Sequence, residues 1–431
     1  MRIVSLTKES QKELLELLKE RNPASYTSQQ AAVDAIIASV REKGDAAVLD
    51  YEKQFDHCSL TPETLRVSRE EIDEAYRALD PEFIEVMKRA AANIRAYHEK
   101  QKVNSWITTK EDGTILGQKV TPIGVSGCYV PGGRAVYPSS VLMNIIPAKV
   151  AGVPKIIMCT PPNAQGKAPA GSLVAADIAG ADEIYKVGGA QAIAAMAYGT
   201  ETIPKVDKIT GPGNIYVALA KKACFGITGI DSVAGPSEIL VIADETADPR
   251  YIAADLLSQA EHDPLASAIL LTTSRPFAEK VSAEIDRFLE TLERAEIMRQ
   301  SLEHYGYAFV GETMGDIIDA ANAIASEHME IVTKDAFEVM TKIKNAGAIF
   351  LGSYSSEPLG DYYAGPNHIL PTNGTARFFS PLGVDQFIKK TSIISYSRDA
   401  LEKVHEDIEL FARNEGLTAH ANSIAVRFDG K

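Results

Sequence analysis

Apolar residues fall at helical spacing in the first hundred positions and then contract into short runs. Leu14, Leu15, Leu17 and Leu18 predict a helix over 8–20, and Val33, Ile36, Ile37 and Val40 a second over 28–43, closed by Gly44. Ser68 and Glu71 have capping-box spacing, and Asp80-Pro81 supplies an N-cap and first residue for a long helix running towards Lys102. The N-terminal portion therefore reads as helical. Asp112-Gly113, between Trp106-Ile-Thr-Thr and Thr114-Ile-Leu-Gly-Gln-Lys-Val, predicts a β-hairpin.

Beyond residue 120 the pattern alternates. Strand-like runs at 127–130, 155–160 and 183–187 are separated by helical stretches at 140–150, 172–179 and 190–197. A second series has strands at 238–243, 268–272, 307–310, 329–333 and 346–351, with helices ending near Pro264, over 276–292 and over 316–325. This is the grammar of βαβ units, and residues 121–237 and 238–355 look like related halves, although no residue-level repeat connects them. The last fifty residues, with a strand at 393–396, a helix over 399–413 and another from Thr418, read as a tail.

Composition narrows the class. A chain of 431 residues is long enough for two to four domains. At 45% hydrophobic and 24% charged residues it is ordinary for a globular protein, and no apolar run approaches the ~20 residues that span a bilayer. No membrane association is expected. The first ten residues turn polar too soon for a signal-peptide core, so the expected location is cytoplasmic. Cys58, Cys128, Cys159 and Cys224 lack metal-site spacing and read as reduced thiols. A net charge of -14 argues against a nucleic-acid partner. A small-molecule enzyme fits these limits.

Candidate chemistry lies in glycine turns and polar islands. Pro131-Gly-Gly-Arg134, Gly188-Gly-Ala-Gln191 and Gly211-Pro-Gly-Asn214 each follow a strand, where helix N-termini offer free N–H groups to phosphate. None completes the G-x-G-x-x-G fingerprint, and such turns also occur in α/β proteins that bind no nucleotide. Tyr129, Gln191 and Asn214 are best placed to line such a crevice; their alternative role is turn chemistry. Gln259 and His262, three apart at a helix exit, point the same way as potential metal ligands. A zinc site built from Gln259, His262, Asp361 and His420 would keep a formal charge of about +1 and remain electrophilic. Glu327-His328 stands at a helix-to-strand corner, read as exposed and free of regular packing, and pairs a carboxylate with an imidazole for acid-base work. His57, His98, His304 and His405 read as surface or core residues.

Eight segments together resemble the histidinol dehydrogenase family. They are Gly-Cys-Tyr-Val-Pro-Gly-Gly at 127–133, Gly-Gly-Ala-Gln-Ala-Ile-Ala at 188–194, Thr-Gly-Pro-Gly-Asn at 210–214, Ala-Gly-Pro-Ser-Glu at 234–238, Gln-Ala-Glu-His-Asp at 259–263, Ser-Glu-His at 326–328, Gly-Pro-Asn-His-Ile-Leu-Pro-Thr at 365–372 and Glu-Gly-Leu-Thr-Ala-His-Ala-Asn-Ser at 415–423. They span nearly the whole chain in family order. The resemblance implies an NAD-dependent enzyme of histidine biosynthesis, with one Zn2+ per subunit, oxidising L-histidinol through L-histidinal to L-histidine. By the same analogy Gln259, His262, Asp361 and His420 bind zinc, and Tyr129, Gln191 and Asn214 contact NAD. Ser237, His368 and Glu415 join the metal ligands, Glu327 and His328 around the substrate, Glu415 facing its ammonium. Glu327 and His328 are the implied catalytic pair.

The implied fold is two incomplete Rossmann-like domains, with helical terminal segments intertwined in a homodimer that shares its active sites. The expected boundaries are 1–25 for the N-terminal helical segment, 26–120 with 238–380 for the metal-bearing α/β domain, 121–237 for the NAD-binding domain, and 381–431 for the tail. Three other readings share these residues: a family relative acting on another alcohol, a zinc hydrolase with Glu327 activating water, and a non-catalytic metal-binding protein.

Overall fold

The computed structural model describes residues 1–21, 27–132 and 137–429. Its residues form two compact units, Met1–Gln101 with Ile123–Phe387, and Lys102–Pro122 with Ile388–Lys431. The larger contains two parallel sheets. The first has six strands in the order β1 (Arg2–Ser5), β11 (Gly306–Val310), β10 (Ser267–Thr272), β9 (Glu238–Ala243), β12 (His328–Val332) and β13 (Ala348–Leu351). The second has five, in the order β6 (Glu183–Lys186), β5 (Lys155–Thr160), β4 (Val125–Tyr129), β7 (Lys208–Thr210) and β8 (Gly229–Ile230).

The two sheets are wired alike. Counting each from its own first crossover strand, β9 or β4, both run 3-2-1-4-5, the order of a dinucleotide-binding fold short of its sixth strand. The likeness of the two halves, which no residue-level repeat connects, is therefore a shared strand order. All pairings in both sheets are parallel, as crossover helices require. Such strands are covered on both faces, which is why Glu238–Ala243 and Ser267–Thr272 are buried along their whole length.

One expectation fails at the start of the chain. Arg2–Ser5 is a strand, added parallel to β11 at the edge of the six-stranded sheet, so the first 25 residues are not simply helical. Four residues are too few for any period to register. The helices that follow form where expected, at Lys8–Glu20, Thr27–Lys43 and Pro81–Glu99, with Ser68 and Asp80 capping their helices as read. The boundary placed at 25 and the residues Gly133 and Arg134 of the first glycine turn lie outside the described residues.

The smaller unit is a three-stranded antiparallel sheet, β14 (Ile388–Ser395), β3 (Ile115–Pro122) and β2 (Trp106–Thr109), followed by helices Arg398–Glu402, His405–Asn414 and Thr418–Ala425. The hairpin turns at Asp112-Gly113 as predicted, with Gly113 at φ +82°. It pairs with the tail strand across eight residues, Ile115 with Ser395 through Pro122 with Ile388. The expected boundaries place the hairpin with the metal-bearing α/β domain, and the strand expected at 393–396 with a tail rather than another sheet layer. Strand partners this far apart in sequence leave no local signal. The helix read over 399–413 is two helices, broken after Glu402.

Candidate active site

The six-stranded sheet presents its amino edge to the site. The helix Pro249–Ala260 starts at an Asp248 side-chain cap, with Pro249 in its first turn, and buries Ile252, Ala253, Leu256, Leu257 and Ala260. It connects β9 to parallel β10, so its C-terminal end, carrying Gln259 and then His262, returns to the edge where strands begin. Ser237 precedes β9 on that edge, where its carbonyl accepts from Ser267 N–H at 3.0 Å. Glu327 precedes β12 there and His328 is the first residue of β12.

Glu327 and His328 are 7% and 4% exposed, not the open corner expected from sequence, because β12 lies between β9 and β13. Both are tied to Glu238. Glu238 N–H donates to Glu327 Oε2 at 2.9 Å, and His328 Nδ1 lies 3.2 Å from the Glu238 carbonyl, to which it can only donate. In the neutral ring that bond leaves the lone pair to Nε2, which is buried and has no hydrogen-bond partner. Behind them Arg21, fully buried, bonds Glu238 Oε1 at 2.6 Å and the Leu265 carbonyl at 2.7 Å.

Three carboxylates surround the imidazole. Glu327 Oε2 is 3.7 Å from His328 Nδ1, and Asp361 Oδ1 and Glu357 Oε1 are 3.7 and 3.9 Å from Nε2. Burial alone would lower the basicity of His328, but the carboxylates of Glu327, Asp361 and Glu357 together raise it to about 10. Burial lifts Glu327 to about 8 despite the neighbouring imidazole. Asp361 goes the other way, to about 2: burial opposes its charge, yet the neighbouring His328 and His368 outweigh that. Glu357 and Asp361 share one face of the helix Glu357–Tyr362, four residues apart.

The donor set suits a metal ion. One ligand atom each from His262, Glu357 and Asp361 lies within 4.8 Å of the others. Gln259, 1% exposed, has a buried Oε1 with no hydrogen-bond partner. An imidazole, carboxylate oxygens and an amide oxygen fit zinc. Glu357 was missed in the sequence, although Glu357-Pro358 ahead of Asp361 carries both a helix-start signal and same-face spacing. His368 donates from Nδ1 to the Asp361 carbonyl at 3.0 Å, and its Nε2 lies 3.1 Å from Ser140 Oγ. A cavity of about 620 Å³ opens beside this cluster, lined by Tyr97, His328, Phe350, Asp361, His368 and Leu382.

Ser140 belongs to the first turn of the helix Pro138–Ala151, which leaves the carboxyl end of β4. The five-stranded sheet therefore contributes its carboxyl edge, opposite in polarity to the other sheet. Its strand order reverses between β4 and β7, where a ligand crevice is expected. Gly211, after β7, has φ +114° and lies so close to β4 that an added β-carbon would be 3.0 Å from the Tyr129 carbonyl carbon and nearer still to its oxygen. Buried Lys221 and Asp231, an ion pair, hold that turn by bonding the Gly211 carbonyl and N–H.

The N–H groups expected to be free for phosphate are engaged. Tyr129 Oη accepts from Gly189 N–H at 3.0 Å, Glu52 Oε1 accepts from Gly188 N–H at 3.1 Å, and Asn214 Oδ1 accepts from Tyr216 and Val217 N–H groups. Asn214 is thus the N-cap of Ile215–Cys224, the turn role held open for it. Glu415 and His420 stand in the smaller unit, both exposed, on a cleft they share with Ile408, Phe411 and Leu417. Cys58, Cys128, Cys159 and Cys224 are free and buried. His98 is a core residue.

The histidinol dehydrogenase family model matches residues 19–428. The chain belongs to that family. Histidinol dehydrogenase of Halalkalibacterium halodurans is 59% identical over 401 residues, covering 93% of this chain and 94% of that one. The Bacillus subtilis enzyme is 56% identical over 410 residues, covering 95% and 96%. The crystal structure of histidinol dehydrogenase from Elizabethkingia anophelis superposes with a TM-score of 0.92 at 37% identity, covering 99% of this chain and 98% of that one. The chain is therefore an oxidoreductase with the α/β architecture of that family, and no helix among the described residues is long and apolar enough to cross a membrane.

Proposed function

We propose that this chain is a zinc-containing, NAD-dependent histidinol dehydrogenase that oxidises L-histidinol through L-histidinal to L-histidine in histidine biosynthesis, reducing two NAD. The observation that carries the reading is the meeting of Glu327, His328, Gln259, His262 and Asp361 at one sheet edge, with His328 Nε2 turned towards the carboxylates.

When bound, NAD accepts a hydride in each half-reaction and zinc supplies a positive charge against which the substrate's imidazole and amine nitrogens can be held. Gln259, His262 and Asp361 would hold the metal from this chain. His328 Nε2 takes the hydroxyl proton of histidinol as the hydride leaves carbon; Nδ1 stays bonded to the Glu238 carbonyl, so the ring does not turn. The resulting imidazolium is stabilised by Glu327, Asp361 and Glu357. Were Asp361 to hold the metal, one of the three charges that raise His328 would be offset, moving it towards the range useful for a base. In the second half-reaction Glu327, held by Glu238 N–H, takes a proton from the water that adds to histidinal, and the hydrate loses the second hydride. Ser237 and His368 are assigned to the substrate, and Tyr129, Gln191 and Asn214 to NAD.

Glu415 and His420 are assigned to the active site of the partner in a cytoplasmic homodimer, each site being shared between chains. The smaller unit supports this by leaving Trp106, Ile107, Ile394, Leu410, Phe411 and Val426 exposed, an apolar surface of the kind subunit contacts cover. The deciding experiment is incubation of the purified protein with L-histidinol and NAD. Appearance of two NADH per histidine formed supports the reading. Absence of NADH with zinc bound and NAD supplied overturns it.

A further inference from the structure

The helix Gly189–Tyr198 begins at the crevice with its first donors occupied from inside the protein. Glu52, on the helix Asp45–Phe55, is 0% exposed, and its Oε1 accepts both Gly188 N–H at 3.1 Å and Gln191 Nε2 at 2.9 Å. The second bond sets the carboxamide. With Nε2 committed to Glu52, Gln191 presents Oε1, which is buried, has no hydrogen-bond partner and lies 2.7 Å from where a β-carbon on Gly189 would be. A buried acceptor left unsatisfied costs about 1–3 kcal/mol, so its persistence points to a donor that arrives with a ligand.

We propose that Glu52 is a positioning residue for the dinucleotide: it locks Gln191 with its carbonyl oxygen beside the Gly189 turn, so that this oxygen accepts from a ribose hydroxyl or the nicotinamide carboxamide of NAD, and it takes the Gly188 N–H away from phosphate. The proposal rests on assigning Gln191 to the NAD crevice. Without Glu52 the carboxamide can rotate and offer either end, and the oriented acceptor is lost. Tyr129 takes the next N–H, of Gly189, so recognition at this turn passes from backbone donors to side-chain acceptors. Burial raises the Glu52 carboxyl to about 8, against the bonds from Gln191 and Gly188, and glutamine is the substitution that keeps an acceptor at this place.

The test uses the intact zinc-loaded enzyme and NAD titrated by calorimetry, alongside KM and kcat for both substrates. Glu52→Met keeps the volume and removes the acceptor. It is expected to weaken NAD binding about tenfold, about 1.4 kcal/mol, with histidinol KM and zinc content within twofold of wild type. Glu52→Gln restores an acceptor and is expected to stay within threefold. Should Glu52→Met not fold, Glu52→Asp, which withdraws the carboxyl by one methylene, takes its place with the same expectation. Unchanged NAD affinity in the methionine or aspartate variant, or equal losses for NAD and histidinol, overturns the proposal. Gln191→Ala separates the two ideas: if it weakens NAD while the Glu52 variants do not, Gln191 contacts NAD without help from Glu52. If Gln191→Ala leaves NAD affinity untouched, the assignment of Gln191 to the crevice fails. In the combined variant, losses that simply add would also refute the coupling.

Discussion

Gly211→Ala tests the junction of β4 and β7 that shapes the dinucleotide crevice. Two costs are separable. The first is conformational: at φ +114° an L-residue is strained, by roughly 1–2 kcal/mol for left-handed backbone. The second is steric, since the new β-carbon would meet the Tyr129 carbonyl, and neither partner is free to retreat. Tyr129 closes a central strand, and the Gly211 peptide is held at both ends by Lys221 and Asp231. Overpacking of a fixed interior adds roughly 1–3 kcal/mol, giving about 2–5 kcal/mol in all. Gly152→Ala supplies the control, because Gly152 has φ +83° with nothing within 4 Å of its would-be β-carbon. It should cost only the first amount. Urea unfolding followed by far-UV circular dichroism, with NAD affinity measured below the transition, compares the two. A Gly211→Ala variant no less stable than Gly152→Ala, with NAD affinity intact, would show that β4 and β7 yield and that the clamp by Lys221 and Asp231 does not fix the crevice.

His262→Asn and His420→Asn should each lose zinc and activity while keeping far-UV dichroism; dissociated, mixed and reassociated, they should recover about a quarter of wild-type activity if sites are shared, and none, with exchange verified, if they are not. His328→Ala should slow histidinol oxidation most, whereas Glu327→Gln should slow histidinal oxidation more than the alcohol step; equal losses in both half-reactions for both variants would end that division of labour. His98 is buried beside the Ile94 carbonyl, and burial lowers its pKa below the ordinary 6.5. Its contribution is therefore complete above pH 6.5 and is lost as pH falls, because the unfolded chain then binds a proton that the fold refuses, at up to about 1.4 kcal/mol per pH unit. His98→Gln should flatten the fall in denaturation midpoint between neutral and mildly acidic pH, and an unchanged slope would remove His98 as the cause.

The helices and most buried strands were legible because their periods are local: Leu14 and Leu18, or Ile252, Leu256 and Leu257, announce a face within one or two turns. Pairing was not. Nothing near Arg2–Ser5 names β11 as its partner, nor does Ile115–Pro122 name β14, since those contacts join residues about three hundred positions apart. The candidate site divides similarly. Gln259, His262 and Asp361 stood out as polar side chains in recognisable settings, but the burial of Glu327 and His328 depends on strands that flank β12 from elsewhere in the chain. Glu52 looked like any charged residue on a helix. Only the approach of Gly188 and Gln191, well over a hundred residues later, makes it notable.

The candidate site lies at the edge of the six-stranded sheet where strands begin, and the opposite edge lies a strand's length away. There the chain turns at Asp244–Asp248 after β9 and at Gly311–Thr313 after β11, with Glu245, Thr246 and Glu312 exposed. A guest sequence spliced into either turn would be separated from His328 by the length of a strand and the packed layer around it. The fold thus carries a ready attachment point for affinity tags, fluorophores or immobilising linkers, on the edge opposite the candidate site.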